Sequence, residues 1–181
     1  MRFSTLPNTP SQTNRSPQPP SPAVVRDVII RSFRAGDAAA FRALNEAWIT
    51  RWFFLEPEDA VVLNDPENQI LGRGGHILMA ALGEEVVGCC ALLPLPNHAV
   101  RLVRMAVRED LRGMGIGRLL LESAIAKART LHALTIRLET STKLPAAIHL
   151  YQSAGFRCVE PHGEEALARA DTFMELALRY G

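Results

Sequence analysis

The chain has 181 residues, 48% of them hydrophobic and 22% charged, with a formal net charge of +1. That composition is ordinary for one α/β-sized globular domain with a well-buried core, and it excludes the basic surface that binds nucleic acid unspecifically. No apolar run approaches the ~20 residues of a membrane helix and none at the start resembles a signal peptide, so a cytoplasmic protein with no membrane and no nucleic-acid partner is expected.

Six of the twelve prolines, Pro7, Pro10, Pro17, Pro19, Pro20 and Pro22, fall among Ser, Thr, Asn and Gln near the start. Residues 1–22 are therefore expected to be a disordered Pro/Ser-rich tail, and residues 23–181 the domain. The absence of acidic residues before Asp27 raises a targeting peptide, but the prolines forbid the amphipathic helix it would need.

Val28, Ile29 and Ile30, with Phe33, suit a first strand, and Gly36 and Asp37 offer a turn and a helix N-cap. A helix from Ala38 places Phe41, Leu44, Asn45, Trp48 and Trp52 on one face, and Pro57 stops it. Short helical stretches over 58–63 and up to Ile70 precede a loop at 72–75. Strands at 76–82 and 86–93 flank Gly83-Glu84, a hairpin turn, with Pro94 and Pro96 ending the second. A third strand covers 99–107, a helix covers 116–131 with Ile116, Leu120, Ala124 and Ala128 on one face, and a strand follows at 134–138. Strand, crossover helix and strand form a βαβ unit, so these two strands are expected to be parallel neighbours. A helix over 144–154 closes at Gly155, and strands at 156–159 and 172–178 complete the domain. Cys89, Cys90 and Cys158 lack metal-ligand spacing, so no metal site is expected. They read as small core residues of a reducing compartment, with Cys89 and Cys90 on opposite faces of a strand.

Between the 99–107 strand and the 116–131 helix the chain reads R-G-M-G-I-G: Arg112, Gly113, Met114, Gly115, Ile116 and Gly117, followed by Arg118. A glycine-rich turn at a helix start presents unpaired N–H groups, the helix dipole adds partial positive charge, and the two arginines add full charges. An anion, most naturally a pyrophosphate, fits there. A Rossmann dinucleotide site would have the turn directly after its strand and an acid such as Glu139 on the next one. Here residues 108–112 intervene, and too little chain follows Glu139 to complete a doubly wound sheet. A P-loop would need Lys-Ser or Lys-Thr after the glycines, which this turn lacks.

Two blocks carry a resemblance. L-V-R-M-A-V-R-E-D-L-R-G-M-G-I-G-R-L-L, beginning at Leu102, resembles the acyl-CoA motif of the GNAT N-acetyltransferase superfamily, whose core (R/Q)-x-x-G-x-(G/A) falls on Arg112, Gly115 and Gly117. A-A-I-H-L-Y-Q-S-A-G-F, beginning at Ala146, is similar to the family's later motif A-x-x-L-Y-x-x-x-G-F. The resemblance covers all but the N-terminal tail. It implies a mixed, mostly antiparallel twisted sheet with helices on both faces and a splayed central strand pair. It also implies acetyl-CoA as acyl donor, direct transfer in a ternary complex to a primary amine of a small molecule, amino acid or peptide, and a possible homodimer.

Carried over residue by residue, the resemblance implies that Met105, Ala106 and Val107 line the pantetheine arm, and that Arg112, Gly113, Met114, Gly115, Ile116, Gly117 and Arg118 hold the pyrophosphate. Tyr151 would protonate the departing thiolate, and a backbone N–H near Ala106 would stabilise the oxyanion. The sequence departs from the family at Arg101, where many members have glutamate, and at Leu144, where many have asparagine. The general base is therefore open among Glu139, His98, Glu56, Glu58 and Asp59, with a water chain as a further route. A catalytically silent acyl-CoA-binding module is the alternative. Trp48, Trp52, Phe53 and Phe54 beside Glu56, Glu58 and Asp59 would suit a cationic amine.

Overall fold

The computed structural model describes residues 27–161 and 168–179, so the expected tail over residues 1–22 lies outside the described residues. The elements are β1 (Val28–Ser32), α1 (Ala38–Trp52), α2 (Pro57–Asn64), α3 (Pro66–Gln69), β2 (His76–Leu82), β3 (Glu85–Leu95), β4 (Ala99–Val107), α4 (Ile116–Thr130), β5 (Thr135–Thr140), α5 (Pro145–Ser153), β6 (Arg157–Val159) and β7 (Thr172–Ala177). The strands form one open sheet in the order β1-β2-β3-β4-β5-β7-β6, antiparallel everywhere except at β4–β5.

Alternation along the strands separates two cores. Leu78, Ala80, Cys90, Leu92, Val100, Leu102, Ile136 and Leu138 meet the α4 stripe of Ile116, Leu120, Leu121, Ala124 and Ala128. On the other face Ile77, Met79, Cys89, Ala91 and Ala106 meet Phe41 and Ile49 of α1 and Leu63 of α2. Cys89 and Cys90 thus fall in different cores, as period-two geometry requires. Burial pushes the Cys89 thiol up to about 12 and the Cys90 thiol higher, so neither supplies a thiolate.

β4 carries an irregularity that sequence patterning did not reveal. Cys89 faces Ala106 and Ala91 faces Val103, so two steps on β3 correspond to three on β4, and Arg104 at the extra position has a left-handed φ of 56°. The bulge inverts the alternation: Val100 and Leu102 point to the α4 side before it, Met105 and Val107 after it. β4 and β5 pair only from Ala99/Thr135 to Leu102/Leu138. Beyond that, β4 stays with β3 through Val107 and β5 stays with β7 through Thr140, so the parallel pair parts in mid-sheet.

Several expectations need correction. Asp37 does not cap α1: its carboxylate takes two hydrogen bonds from Arg31, at 2.6 and 2.8 Å, and one from the Arg34 N–H. Trp52 leaves the α1 apolar face at 44% exposure, because the 3.6-residue period has carried it past the stripe of Phe41, Asn45 and Ile49. Pro57 opens α2 instead of closing α1, occupying a first-turn position where no N–H is needed. β3 runs through Pro94, which faces Val100 near the strand end. Cys158 lies exposed on the edge strand β6, outside either core.

Phe41 is fully buried and meets the Phe33 ring edge-on at 6.5 Å. Phe41→Ala should lower unfolding free energy by about 3–5 kcal/mol through lost burial and the cavity left behind, read from the midpoint of a urea titration at unchanged m.

Candidate active site

A cleft of about 1100 Å³ opens where β4 and β5 part, and both layers of the fold line it. Trp48, Phe53, Glu56 and Val62 come from the α1–α2 side, and Gly117, Ala147, Leu150 and Tyr151 from the α4–α5 side. Met105, Ala106 and Val107 form its floor along β4. Arg108 N–H bonds the Val87 carbonyl at 2.8 Å and Ala106 faces Cys89, so antiparallel alternation turns the backbone of Ala106 towards β3. By the same alternation the N–H and C=O groups of Met105 and Val107 face the gap, where β5 no longer pairs with β4.

At the α4 end, Gly113 and Gly115 have φ of 78° and 90°, left-handed conformations that glycine adopts without penalty. Gly115 is the N-cap of α4, and the first helical amide to find a carbonyl is Leu119, which bonds Gly115. The amides of Ile116, Gly117 and Arg118 therefore have no partner within the helix. The Ile116 side chain is buried in the core, so only its backbone serves the turn, and Met114 packs partly against the same core. Arg112 lines the cleft with Nε 3.3 Å from the Val107 carbonyl, and burial followed by the nearby Arg51 charge holds its pKa below the usual value. The Arg112 guanidinium beside helix-start amides makes a focus of positive potential. Arg51, on α1 and 61 positions from Arg112, is ion-paired with Glu109. Arg118 is exposed and hydrogen-bonds Ser153 of α5 at 3.1 Å.

Tyr151 sits on α5 with its ring 5.8 Å from Phe156 and its hydroxyl 3.8 Å from the Met105 sulfur. Burial, followed by proximity to Cys90, raises its pKa, so the phenol remains protonated at neutral pH. Glu139, at the end of β5, lines the cleft and pairs with Arg101 at 3.4 Å. The structure thus brings Tyr151 and Glu139 to one cleft with the β4 edge and the glycine turn. His98 is not among them: it occupies the turn before β4, at the end remote from the gap, and its carbonyl accepts from Leu134 N–H.

Glu56 and Asp59 are engaged elsewhere. Asp59 is fully buried at the third position of α2 and accepts from the Glu56 N–H at 3.0 Å. Arg169 grips it with both terminal nitrogens at 2.7 and 2.8 Å and also reaches Glu56 at 2.9 Å, while Arg104 of the bulge binds the same Asp59 carboxylate. Arg104 and Arg169 were not legible as partners, being 45 and 110 positions from Asp59. Burial opposes ionisation of Asp59, but the bonds from Arg169, Arg104 and Glu56 outweigh it and bring its pKa down to about 2.

The unfolded carboxyl titrates near ~4, so between those values the folded chain binds fewer protons than the unfolded one. Asp59 stabilisation is therefore complete above about pH 5 and shrinks as pH falls towards 2. Asp59→Asn should cost about 3 kcal/mol at pH 7, by leaving the largely buried Arg104 without its carboxylate and Arg169 with Glu56 alone, and should flatten the acid limb of stability measured by denaturant titration from pH 6 to 2.

Residues 39–156 match the acetyltransferase (GNAT) family. Over 102 residues the chain is 35% identical to the uncharacterized N-acetyltransferase YvbK of Bacillus subtilis, covering 55% of this chain and 66% of that protein. The chain spans 40% to 66% of the length of the curated relatives it matches. A GNAT acetyltransferase structure from Staphylococcus aureus superposes with a TM-score of 0.77 at 22% identity, covering 84% of this chain and 99% of that one. An acetyltransferase of Salmonella typhimurium, solved with its cofactor acetyl-CoA, gives 0.67 at 21% identity over 86% and 96% of the two chains. With the parted β4–β5 pair, the glycine turn opening α4 and the match over residues 39–156, this chain belongs to the GNAT acetyltransferase family.

Proposed function

We propose that the protein transfers an acetyl group from acetyl-CoA to a primary amine, by direct attack while both substrates occupy the cleft. The observation that carries this reading is the cleft itself, lined on one side by the glycine turn and α5 and on the other by α1 and α2, with a bare strand edge between. Two differently built walls suit two substrates that meet at the gap.

The turn from Arg112 through Gly113, Met114, Gly115, Ile116 and Gly117 to Arg118 would bind the pyrophosphate through helix-start amides, with Arg112 supplying charge. The gap-facing backbone groups of Met105 and Val107 would pair with the pantetheine amides as an added strand does. An N–H on that edge would stabilise the oxyanion that forms when the amine nitrogen bonds the carbonyl carbon. As the C–S bond breaks, Tyr151 gives its proton to the sulfur, and the buried phenol is protonated for that task. Glu139, facing the gap beside Arg101, would receive the proton lost by the amine, directly or through water. Nothing in this scheme needs a metal or a covalent enzyme intermediate.

Calorimetric titration should give saturable one-site binding of acetyl-CoA and none of NAD. Arg112→Ala should weaken acetyl-CoA binding by roughly tenfold or more, the loss of one charge-assisted contact. Tyr151→Phe should lower kcat about 100-fold in a thiol-release assay while leaving acetyl-CoA affinity unchanged. Binding of acetyl-CoA with no turnover by any amine would favour an acyl-CoA-binding module in place of an enzyme.

A further inference from the structure

The α1–α2 wall of the cleft is apolar in an unusual sense: its charged groups answer one another. Glu56 and Asp59 face Arg104 and Arg169, so two carboxylates and two guanidinium groups close into a neutral cluster. Glu139 is matched by Arg101. Beside these paired groups the same side of the cavity presents Trp48, Ile49, Phe53 and Val62, with the Trp48 and Phe53 rings 6.0 Å apart and tilted by 43°. The Lys143 ammonium lies 5.8 Å over the Phe53 ring, so this aromatic pair reaches across the gap to the loop after β5. Glu58 and Arg73 are exposed at the rim, with Arg73 held by Gln69 at 2.6 Å.

The apolar surface continues outward along the α1–α2 connection. Phe54 is 91% exposed, and Trp52, Leu55 and Val61 are between 42% and 55% exposed. Large exposed apolar side chains on the same segment that supplies Trp48, Phe53 and Val62 to the cleft mark a surface that meets apolar matter. Inside the wall, a second ammonium or a carboxylate on the ligand would lose hydration against groups already paired, while Glu58, Arg73 and Lys143 are exposed to water, which screens any attraction they offer. A ligand whose body is aromatic or branched aliphatic loses nothing of the kind and covers the wall.

We propose that the acceptor is a small primary amine carried on an aromatic or branched aliphatic body, selected by the Trp48–Phe53 wall, in contrast to polyamines and amino acids. This rests on the acetyl-transfer reading above. The sequence alone suggested attraction of a cation by Glu56, Glu58 and Asp59; the ion cluster removes two of those three carboxylates from that role.

The test measures thiol release from acetyl-CoA by the full chain with phenethylamine, isoamylamine, spermidine and glycine as acceptors. Phenethylamine and isoamylamine should each exceed spermidine and glycine by at least roughly tenfold in kcat/KM. Trp48→Ala should raise KM for phenethylamine about tenfold with acetyl-CoA affinity unchanged, and the milder Phe53→Leu about threefold, should the first variant fail to fold. Preference for spermidine or glycine overturns this inference and leaves acetyl transfer to amines standing. Equal KM for wild type and a folded wall variant overturns it as well. Turnover with none of the four, in protein that binds acetyl-CoA, overturns this inference; the acetyl-transfer reading falls only when a wider panel of amines and peptide N-termini also gives no thiol release.

Discussion

Two parallel strands that share a sheet normally keep pairing until one of them ends, because every buried backbone amide left without a partner is costly. Here β4 and β5 separate after Leu102 and Leu138 while each remains paired on its outer side. The separation coincides with the bulge at Arg104, which bends β4 and increases its local twist. Everything distinctive about the molecule follows from that break. It leaves the β4 edge unpaired by β5, opens the space that Tyr151 enters from α5, and gives both layers of helices access to one cleft.

The bulge also changes which side chains face which wall. Had β4 continued without the extra residue, Met105 and Val107 would point to α1 and Ala106 to α4, reversing the two cores seen around them. Arg104 occupies the left-handed position and directs its guanidinium to Asp59, so the backbone irregularity and the buried ion cluster support each other. A buried ion pair is an inefficient stabiliser compared with well-packed hydrophobic groups, since desolvation consumes most of the attraction. Its effect in this fold is geometric: one carboxylate fixes the start of α2, the centre of β4 and the segment leading into β7.

Much of the chain was legible because local chemistry and tertiary packing agree. The Gly83-Glu84 turn, the α4 stripe at Ile116, Leu120, Ala124 and Ala128, and Gly155 closing α5 are each dictated by residues within a few positions of one another. The parallel β4–β5 relation followed from a crossover rule that holds for nearly all such units. Misreadings occurred where the folded surroundings overrode a local preference. Asp37 has the side chain of an N-cap, yet Arg31 on the neighbouring strand takes it. Trp52 reads as a core residue, yet the helix ends before anything covers it.

The site divides in the same way. The glycine turn is local: three glycines and a helix start specify its backbone conformation within a few residues, so the sequence by itself determined that turn and which family the chain resembles. The role open to each acidic residue was not local. Glu56, Glu58, Asp59 and Glu139 are equivalent as letters, and only the tertiary structure decided that Asp59 and Glu56 are bound to Arg104 and Arg169, that Glu139 faces the gap beside Arg101, and that Glu58 stays at the rim. The physical reason is that a carboxylate's chemistry depends on burial and on which cations stand within a few ångströms, and those neighbours arrive from segments as far as 113 positions along the chain.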